Sequence, residues 1–237
     1  MPVGEESIKV AVRARPLNSR EKKLDCDIVV AMKGKTVTML SERNPKHFTY
    51  DYTYWSVSSG EGTQMEIFAD IGETMLSNAI DGFNCTLFAY GQTGSGKSYT
   101  MMGSQEDGDS GVIPRMINGL FEEKERLEQE PLQELQVRIS YLEIYKEQVT
   151  DLFTTQSSRH KGESLKIMEH PKLGVYVKGL CLMPCETKKD VMSNLEYGLK
   201  MRTIAATNMN QNSSRSHAVF TISVNRLEGE RPKKKDK

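Results

Sequence analysis

The stretch Gly91-Gln-Thr-Gly-Ser-Gly-Lys-Ser98 decides how this chain is read. It matches Gly-x-x-x-x-Gly-Lys-Ser, the P-loop pattern. Its glycines let the backbone curl until successive N–H groups point inward at an anion. A helix that starts at the end of the loop adds the positive end of its dipole. Lys97 can then reach the β- and γ-phosphates of a nucleotide, and the Ser98 hydroxyl can ligate Mg²⁺. The competing reading is a glycine-rich turn with an incidental lysine. The context argues against it. Cys85 to Tyr90 is a short run, apolar apart from Thr86, as expected of a strand buried on both faces, and Tyr99 to Met102 follows as helix.

A second stretch, Asn210-Gln-Asn-Ser-Ser-Arg-Ser-His217, packs hydroxyls, an amide and a cation into one polar run with no helical or strand period. Alone it reads as a polar loop. In a chain that also carries a P-loop, it reads as a sensor of the γ-phosphate, able to bond phosphate oxygens, Mg²⁺-bound water or an attacking water.

Composition sets the outer limits. The 237 residues hold 32 basic and 32 acidic side chains, so the formal charge is zero. That excludes a globally basic nucleic-acid binder, though not a local basic patch. The longest apolar runs, such as Ile28 to Met32, are far shorter than the ~20 residues that span a bilayer. Met1 to Ser7 carries Glu5 and Glu6 without an apolar core, unlike a secretory signal. Four cysteines in a chain of this length do not make a disulfide scaffold. Cys181 and Cys185 are spaced like half of a zinc site, but no second ligand pair accompanies them, so thiols are expected there.

The remaining elements follow from periodicity. Ile8, Val10 and Val12 alternate as a half-buried strand that Pro16 ends. Val29 to Met39 reads as two short strands around Gly34, and His47 to Tyr54, with Trp55 at its end, as one strand. Met65, Phe68, Ile71, Met75, Leu76 and Ala79 predict a helix over Glu61 to Ile80, stopped by Gly82. Val112 to Leu127 is helical, and Leu135 to Tyr145 is a strand. Ser164 to Leu182 reads as strands punctuated by Pro171, Gly174 and Gly179. Thr187 caps a helix that runs to Met201, with Asp190 in its first turn. Thr203 to His217 has no clear period, and Ala218 to Val224 alternates as a strand. Ser104 to Gly111 and Gln156 to Gly162 are surface loops, and the charged end from Glu228 to Lys237 is expected to be solvated and disordered. No repeat or linker divides the chain, so one α/β domain over residues 1–227 is expected.

These motifs resemble those of the kinesins. Tyr90 to Gly103 is similar to the kinesin P-loop, Asn210 to His217 to kinesin switch I, and Arg13-Ala-Arg-Pro16 to the family's adenine-side motif. The likeness runs from about Ser7 to Val224. Phe48 to Ser56, Glu169-His-Pro171 and Ala205 to Asn210 look most like the kinesin-3 class. The resemblance implies a P-loop NTPase fold of kinesin-motor type, with a central mixed sheet flanked by helices. It implies an ATP-dependent microtubule motor in the cytoplasm, on the cytoskeleton, with ATP and Mg²⁺ as cofactors, tubulin as track and organelle or vesicle cargo. It offers no role in nucleic-acid binding.

Site roles follow from the resemblance residue by residue. Arg13, Arg15 and Pro16 would lie beside the adenine, and the Tyr99 ring would stack on it. The backbone of Gly91, Gln92, Thr93, Gly94, Ser95, Gly96, Lys97 and Ser98 would wrap the phosphates. Ser98 and Ser214 would serve the metal, while Asn210, Ser213 and Ser214 would close on the γ-phosphate end. Arg215 would latch onto a glutamate of switch II. The strand–loop region Lys166 to Lys178, with Lys166, His170, Lys172 and Lys178, would face the acidic surface of tubulin. The adenine features favour ATP, and there is no Asn-Lys-x-Asp guanine motif.

The resemblance stops before switch II, since no Asp-Leu-Ala-Gly-Ser-Glu segment is present. The family's principal microtubule-binding helix and neck linker lie beyond it. Residues 1–237 alone are therefore expected not to generate force, and Cys85 to Tyr90 is expected to lack ladder partners, leaving the isolated chain unstable. Two other readings compete: a nucleotide-binding or interaction fragment without turnover, and an unrelated P-loop NTPase.

Overall fold

The computed structural model describes residues 8–40, 44–58, 60–104, 109–129, 133–154, 164–172, 174–208 and 215–228. The chain divides into two units, Met1–Met75 with Leu87–Arg115, and Leu76–Thr86 with Met116–Lys237.

In the first unit, β1 (Ala11–Ala14) and β5 (Tyr52–Trp55) pair in parallel, with Arg13 opposite Tyr54. The strand begins later than the alternation from Ile8 suggests, although Val10 still accepts from Asp51 N and Tyr52 N. Helix α1 (Ser19–Lys23) follows, closed by a capping box between Asn18 and Glu21. β2 (Val30–Lys33), β3 (Thr36–Met39) and β4 (Lys46–Thr49) form an antiparallel meander, with the turn at Gly34 where the sequence puts it. The single strand expected over His47 to Tyr54 is in fact two, β4 and β5, in separate ladders. The alternating aromatics hide the break at Tyr50-Asp51, where Asp51 turns back to bond Val10 N.

The helix expected over Glu61 to Ile80 starts at α2 (Gln64–Ile67), capped by Thr63 and Glu66. It passes through a π-helical turn, Phe68–Gly72, and continues as α3 (Glu73–Ile80). A side chain at Gly72 would run into the Phe68 ring, so the wide turn and the glycine go together. After α3, Gly82 N bonds Ala79 O and Phe83 N bonds Asn78 O, the paired closure expected of a glycine stop.

Cys85 to Tyr90 is not a strand buried on both faces; among the described residues no strand pairs with it, in line with the expectation that it lacks ladder partners. Phe88 is 85% exposed and Tyr90 99%, so the run is apolar without being buried. Apolar composition reports a preference for burial; a strand also needs neighbours for its backbone groups. Helix α4 (Lys97–Met102) follows the glycine-rich loop.

Helix α5 (Val112–Glu128) has Ile117, Leu120 and Phe121 buried. The second unit is built on β6 (Gln133–Tyr145), which pairs antiparallel with β7 (Gln148–Asp151), β10 (Met183–Cys185) and β11 (His217–Glu228). The β6–β11 ladder is continuous from Glu228 opposite Gln133 to His217 opposite Ile144, longer at both ends than the alternation of Ala218 to Val224 indicates. Glu228 thus belongs to a strand, and 229–237 lie outside the described residues. The core gathers Leu135, Val137, Ile139 and Tyr141 of β6 with Val191 and Leu195 of α6 (Lys188–Asn208). A side chain at Gly198 would run into the Tyr141 ring, so the glycine lets α6 lie close to β6. Helix α6 overrides the polar, aperiodic reading of Thr203 onward, continuing to Asn208. Its start is as expected, with Asp190 N donating to Thr187 Oγ1 (3.2 Å) and Thr187 N to Asp190 Oδ2 (2.8 Å). A separate hairpin of β8 (Lys166–His170) and β9 (Gly174–Lys178) pairs Lys166 with Lys178.

Candidate nucleotide site

Arg13 is the hub of the first unit. It donates from Nε to Ser56 Oγ (2.8 Å), from Nη1 to Gln64 Oε1 and Thr100 Oγ1 (3.0 Å each), and from Nη2 to Gly62 O (3.2 Å). Gln64 in turn donates to the Tyr99 carbonyl at 2.7 Å. Strand β1, the start of α2 and helix α4 are thus tied through one guanidinium, whose planar fork suits several fixed acceptors at once. The same group sits 5.0 Å from the centroid of the Tyr99 ring. Burial pulls its pKa below the usual arginine value, opposed by Tyr99 and Asp109.

The loop from Gly91 has the backbone that a phosphate cradle needs. Gly91 (φ 149°), Gly94 (79°) and Gly96 (99°) take conformations that L side chains rarely adopt. A Cβ on Gly91 would also run into Ser95 Oγ. Gly96 is the N-cap of α4, and Thr100 N makes the bond back to its carbonyl at 2.9 Å. The first-turn N–H groups of Lys97 and Ser98 therefore have no acceptor within the helix. Lys97 Nζ donates to the carbonyls of Gly91 (2.7 Å) and Gln92 (2.9 Å), which holds the cation at the loop itself.

The Ser95 hydroxyl is buried and has no hydrogen-bond partner among the described residues. A buried polar atom left this way costs about 1–3 kcal/mol. A phosphate oxygen accepting from it removes that cost, so the loop fits a nucleotide's phosphates. The adjoining cavity, about 570 Å³, falls in the range of small-molecule sites. Arg15, Pro16, Phe88, Tyr90, Lys97 and Tyr99 line it, together with Gly94, Ser95 and Gly96. The apolar and aromatic share of that lining suits a base as well as phosphates.

Arg15 makes a two-pronged ion pair with Glu21, 2.7 Å from each nitrogen, and a further bond to Pro16 O at 2.8 Å. This pairing raises the Arg15 pKa and, together with Asn18 N, holds Glu21 at about 2. Tyr99 is 41% exposed, and its hydroxyl donates to Asp109, 2.8 Å from each carboxylate oxygen. Partial burial and then that bond raise the Tyr99 pKa, with Arg13 opposing.

Thus Arg13, Arg15, Pro16, Gly94, Ser95, Gly96, Lys97 and Tyr99 come together around one cavity, while Gly91, Gln92, Thr93 and Ser98 are not in its lining. Asn210, Ser213 and Ser214 lie outside the described residues. Arg215 is exposed, one residue before Ser216. Ser216 shows what motif reading missed. Its hydroxyl donates to Glu143 Oε1 at 2.6 Å and accepts from Arg202 at 3.0 Å, while Arg202 Nε reaches the same carboxylate oxygen at 3.0 Å. This part-buried group pins the end of the polar motif to β6 and α6. A glutamate inside the apolar alternation of β6 is the signal that could have revealed it. Gln64, Ser56 and Asp109 carry no such signal; chain topology alone brings them to Arg13 and Tyr99.

The family model described as kinesin motor domain matches residues 13–237, and the chain belongs to the kinesin motor family. It is 46% identical to human kinesin-like protein KIF1C over 224 residues, covering 91% of this chain and 20% of that protein. It is 45% identical to rat KIF1A over 224 residues (91% and 13%) and to human KIF13B over 236 residues (94% and 13%). This places it among kinesin-3 motors, as the sequence likeness implies. Among solved structures, the KIF14 segment 391–755, with ADP and in complex with a microtubule, matches with a TM-score of 0.83 and 35% identity, covering 97% of this chain and 64% of that one. A KIF14 dimer with AMP-PNP on a microtubule matches equally well in TM-score. The chain therefore spans under two-thirds of those motor segments and about a fifth or less of the curated relatives.

Proposed function

We propose that residues 1–227 are the N-terminal two-thirds of the head of an ATP-driven microtubule motor, working in the cytoplasm on the cytoskeleton. The loop Gly91–Ser98 carries this reading, because its positive-φ glycines, its lysine held at the loop and its Ser95 hydroxyl, unpartnered among the described residues, suit a phosphate chain. Bound as Mg·ATP, the nucleotide supplies the γ-phosphoryl group whose transfer to water releases the energy that a motor uses.

The chain's own residues bind and orient. The loop N–H groups and Lys97 hold the phosphates, and Ser98 presents a hydroxyl for the metal. The Tyr99 ring, backed by Arg13, offers an aromatic surface for the base, with Arg15 and Pro16 beside it. Asn210, Ser213 and Ser214 complete the γ-phosphate end, and Arg215 latches it to a partner carboxylate. The exposed hairpin β8–β9, with Lys166, His170, Lys172 and Lys178, supplies positive charge toward acidic tubulin. The neighbours solved on microtubules support the same track.

Mg·ATP titration of the purified chain, with Lys97→Ala as control, tests the site. Saturable binding abolished by the substitution is expected. Equal binding by both proteins would remove the P-loop from the mechanism. Microtubule-stimulated ATPase in a chain extended through switch II then separates a motor from a nucleotide-binding fragment without turnover.

A further inference from the structure

Asp109 lies outside every motif in the sequence, yet it bonds Tyr99, whose ring lines the cavity. Its two carboxylate oxygens both stand 2.8 Å from the Tyr99 hydroxyl. The segment that carries it is fixed at its ends. Ser104 N donates to the Asp109 carbonyl at 3.1 Å, Gly111 N to Met102 O at 3.0 Å, and Gly103 and Ser110 form a β-bridge. Gly103, at φ 79°, lets the two ends of this segment meet, since a Cβ there would run into the Asp109 carbonyl. The ring is held from a second side by Arg13, whose guanidinium is itself locked by four hydrogen bonds. A tyrosine side chain has two torsions. The Asp109 bond at its tip and the Arg13 contact along its face leave neither free, while the ring still lines the cavity.

We propose that Asp109 is a positioning residue for nucleotide recognition: it fixes the Tyr99 ring in the orientation that receives the base, and acts on the ligand through that hydroxyl alone. This rests on the nucleotide-site reading above. A ring fixed before binding gives up less entropy on contact with a base. The contribution should therefore reach the base and leave the phosphates untouched.

The experiment is calorimetric titration of the full chain with two ligands, Mg·ATP and Mg-tripolyphosphate. The second carries the phosphates and no base. Asp109→Ala, Asp109→Asn, Tyr99→Phe and the double variant D109A/Y99F are compared with wild type. Asp109→Ala and Tyr99→Phe should each weaken Mg·ATP by roughly 3- to 10-fold, the worth of one hydrogen bond. Neither should move tripolyphosphate. Asp109→Asn, which keeps an acceptor, should recover part of the loss. The double variant should be no weaker than the poorer single variant, because both remove one interaction. Tyr99→Phe keeps Asp109 and its loop intact, so the test survives if Asp109→Ala disturbs folding. Unchanged Mg·ATP affinity in both single variants overturns the proposal, as do equal losses for both ligands or additive losses in the double variant. If wild type binds neither ligand, the nucleotide-site reading falls with it; wild-type binding with silent variants overturns the Asp109 proposal alone.

Discussion

The two units of this chain are held together by different physics. In the second, the long β6–β11 ladder and α6 enclose Leu135, Ile139, Val191 and Leu195, each 1% exposed or less. Among the described residues of the first, the buried apolar side chains are Val37, Tyr54, Ile67 and Val112. Its organisation comes instead from one arginine with four hydrogen bonds and from glycines in left-handed turns. A packed unit is a scaffold, and local removal of volume damages it. A unit organised by polar contacts around a cavity can respond to what fills the cavity, because its bonds are directional and few.

The sharpest way to test that contrast is to remove equal kinds of atoms from each unit. Ile139 is fully buried in β6, between Met183 and Ile222 on the neighbouring strands. Ile139→Ala should cost about 2–5 kcal/mol in urea denaturation. Phe88→Ala, at 85% exposure, should cost no more than ~0.5 kcal/mol despite the larger side chain. Comparable losses would mean that Phe88 is covered in solution, and the contrast would fail.

Arg13→Lys should give the next largest effect, roughly 2–3 kcal/mol. A lysine keeps the charge but cannot serve Ser56, Gln64, Thr100 and Gly62 from one plane. Loss of Mg·ATP affinity should accompany the loss of stability, since Tyr99 is backed by the same group. An Arg13→Lys chain with wild-type melting and binding would show that the hub is redundant.

The same contrast explains what was legible beforehand. In the second unit, periodicity sufficed for α5, β6 and α6 as far as Met201, because amphipathic faces are the packing itself. It missed β7, since the turn into it, Lys146-Glu147, takes positive φ (48° and 61°) without the glycine or asparagine that marks such turns. In the first unit, the motif reading located Arg13, the glycine-rich loop and Tyr99 through their chemistry. Composition alone misread Cys85 to Tyr90 as a buried strand, whereas the family likeness already implied that it lacks ladder partners; Asp109 escaped both, since its role depends on a turn at Gly103 and on no local pattern.

Gly103→Ala probes that turn. Forcing a side chain into φ 79° and against the Asp109 carbonyl should cost about 1–3 kcal/mol. It should also weaken Mg·ATP more than tripolyphosphate, because the displaced group is Asp109. Calorimetry and thermal melts on one preparation read both.

The smallest expected effect compares one capping carboxylate from each unit. Glu21 closes the box on α1 with Asn18, and Asp190 closes the one on α6 with Thr187; both side chains are partly exposed. Each folded-state pKa lies below its ordinary value. Glu21 falls from 4.5 to about 2, chiefly through Arg15 and then Asn18 N, and Asp190 falls below 3.8 through Thr187. Because the unfolded chain takes up the proton first, each group stabilises the fold above its ordinary pKa. For Glu21 that contribution fades as pH drops from 4.5 toward 2. Glu21→Gln preserves the capping geometry, since the amide oxygen also accepts from Asn18 N, and removes the charge paired with Arg15. Its melting temperature should therefore drop slightly at neutral pH, and the difference from wild type should vanish by about pH 2. Asp190→Asn should show the same sign with a smaller span, because no arginine pairs with it through two bonds. A Glu21→Gln difference that persists at low pH would assign the effect to the cap instead of the ion pair, and would place the stability of the Arg15 wall in its backbone.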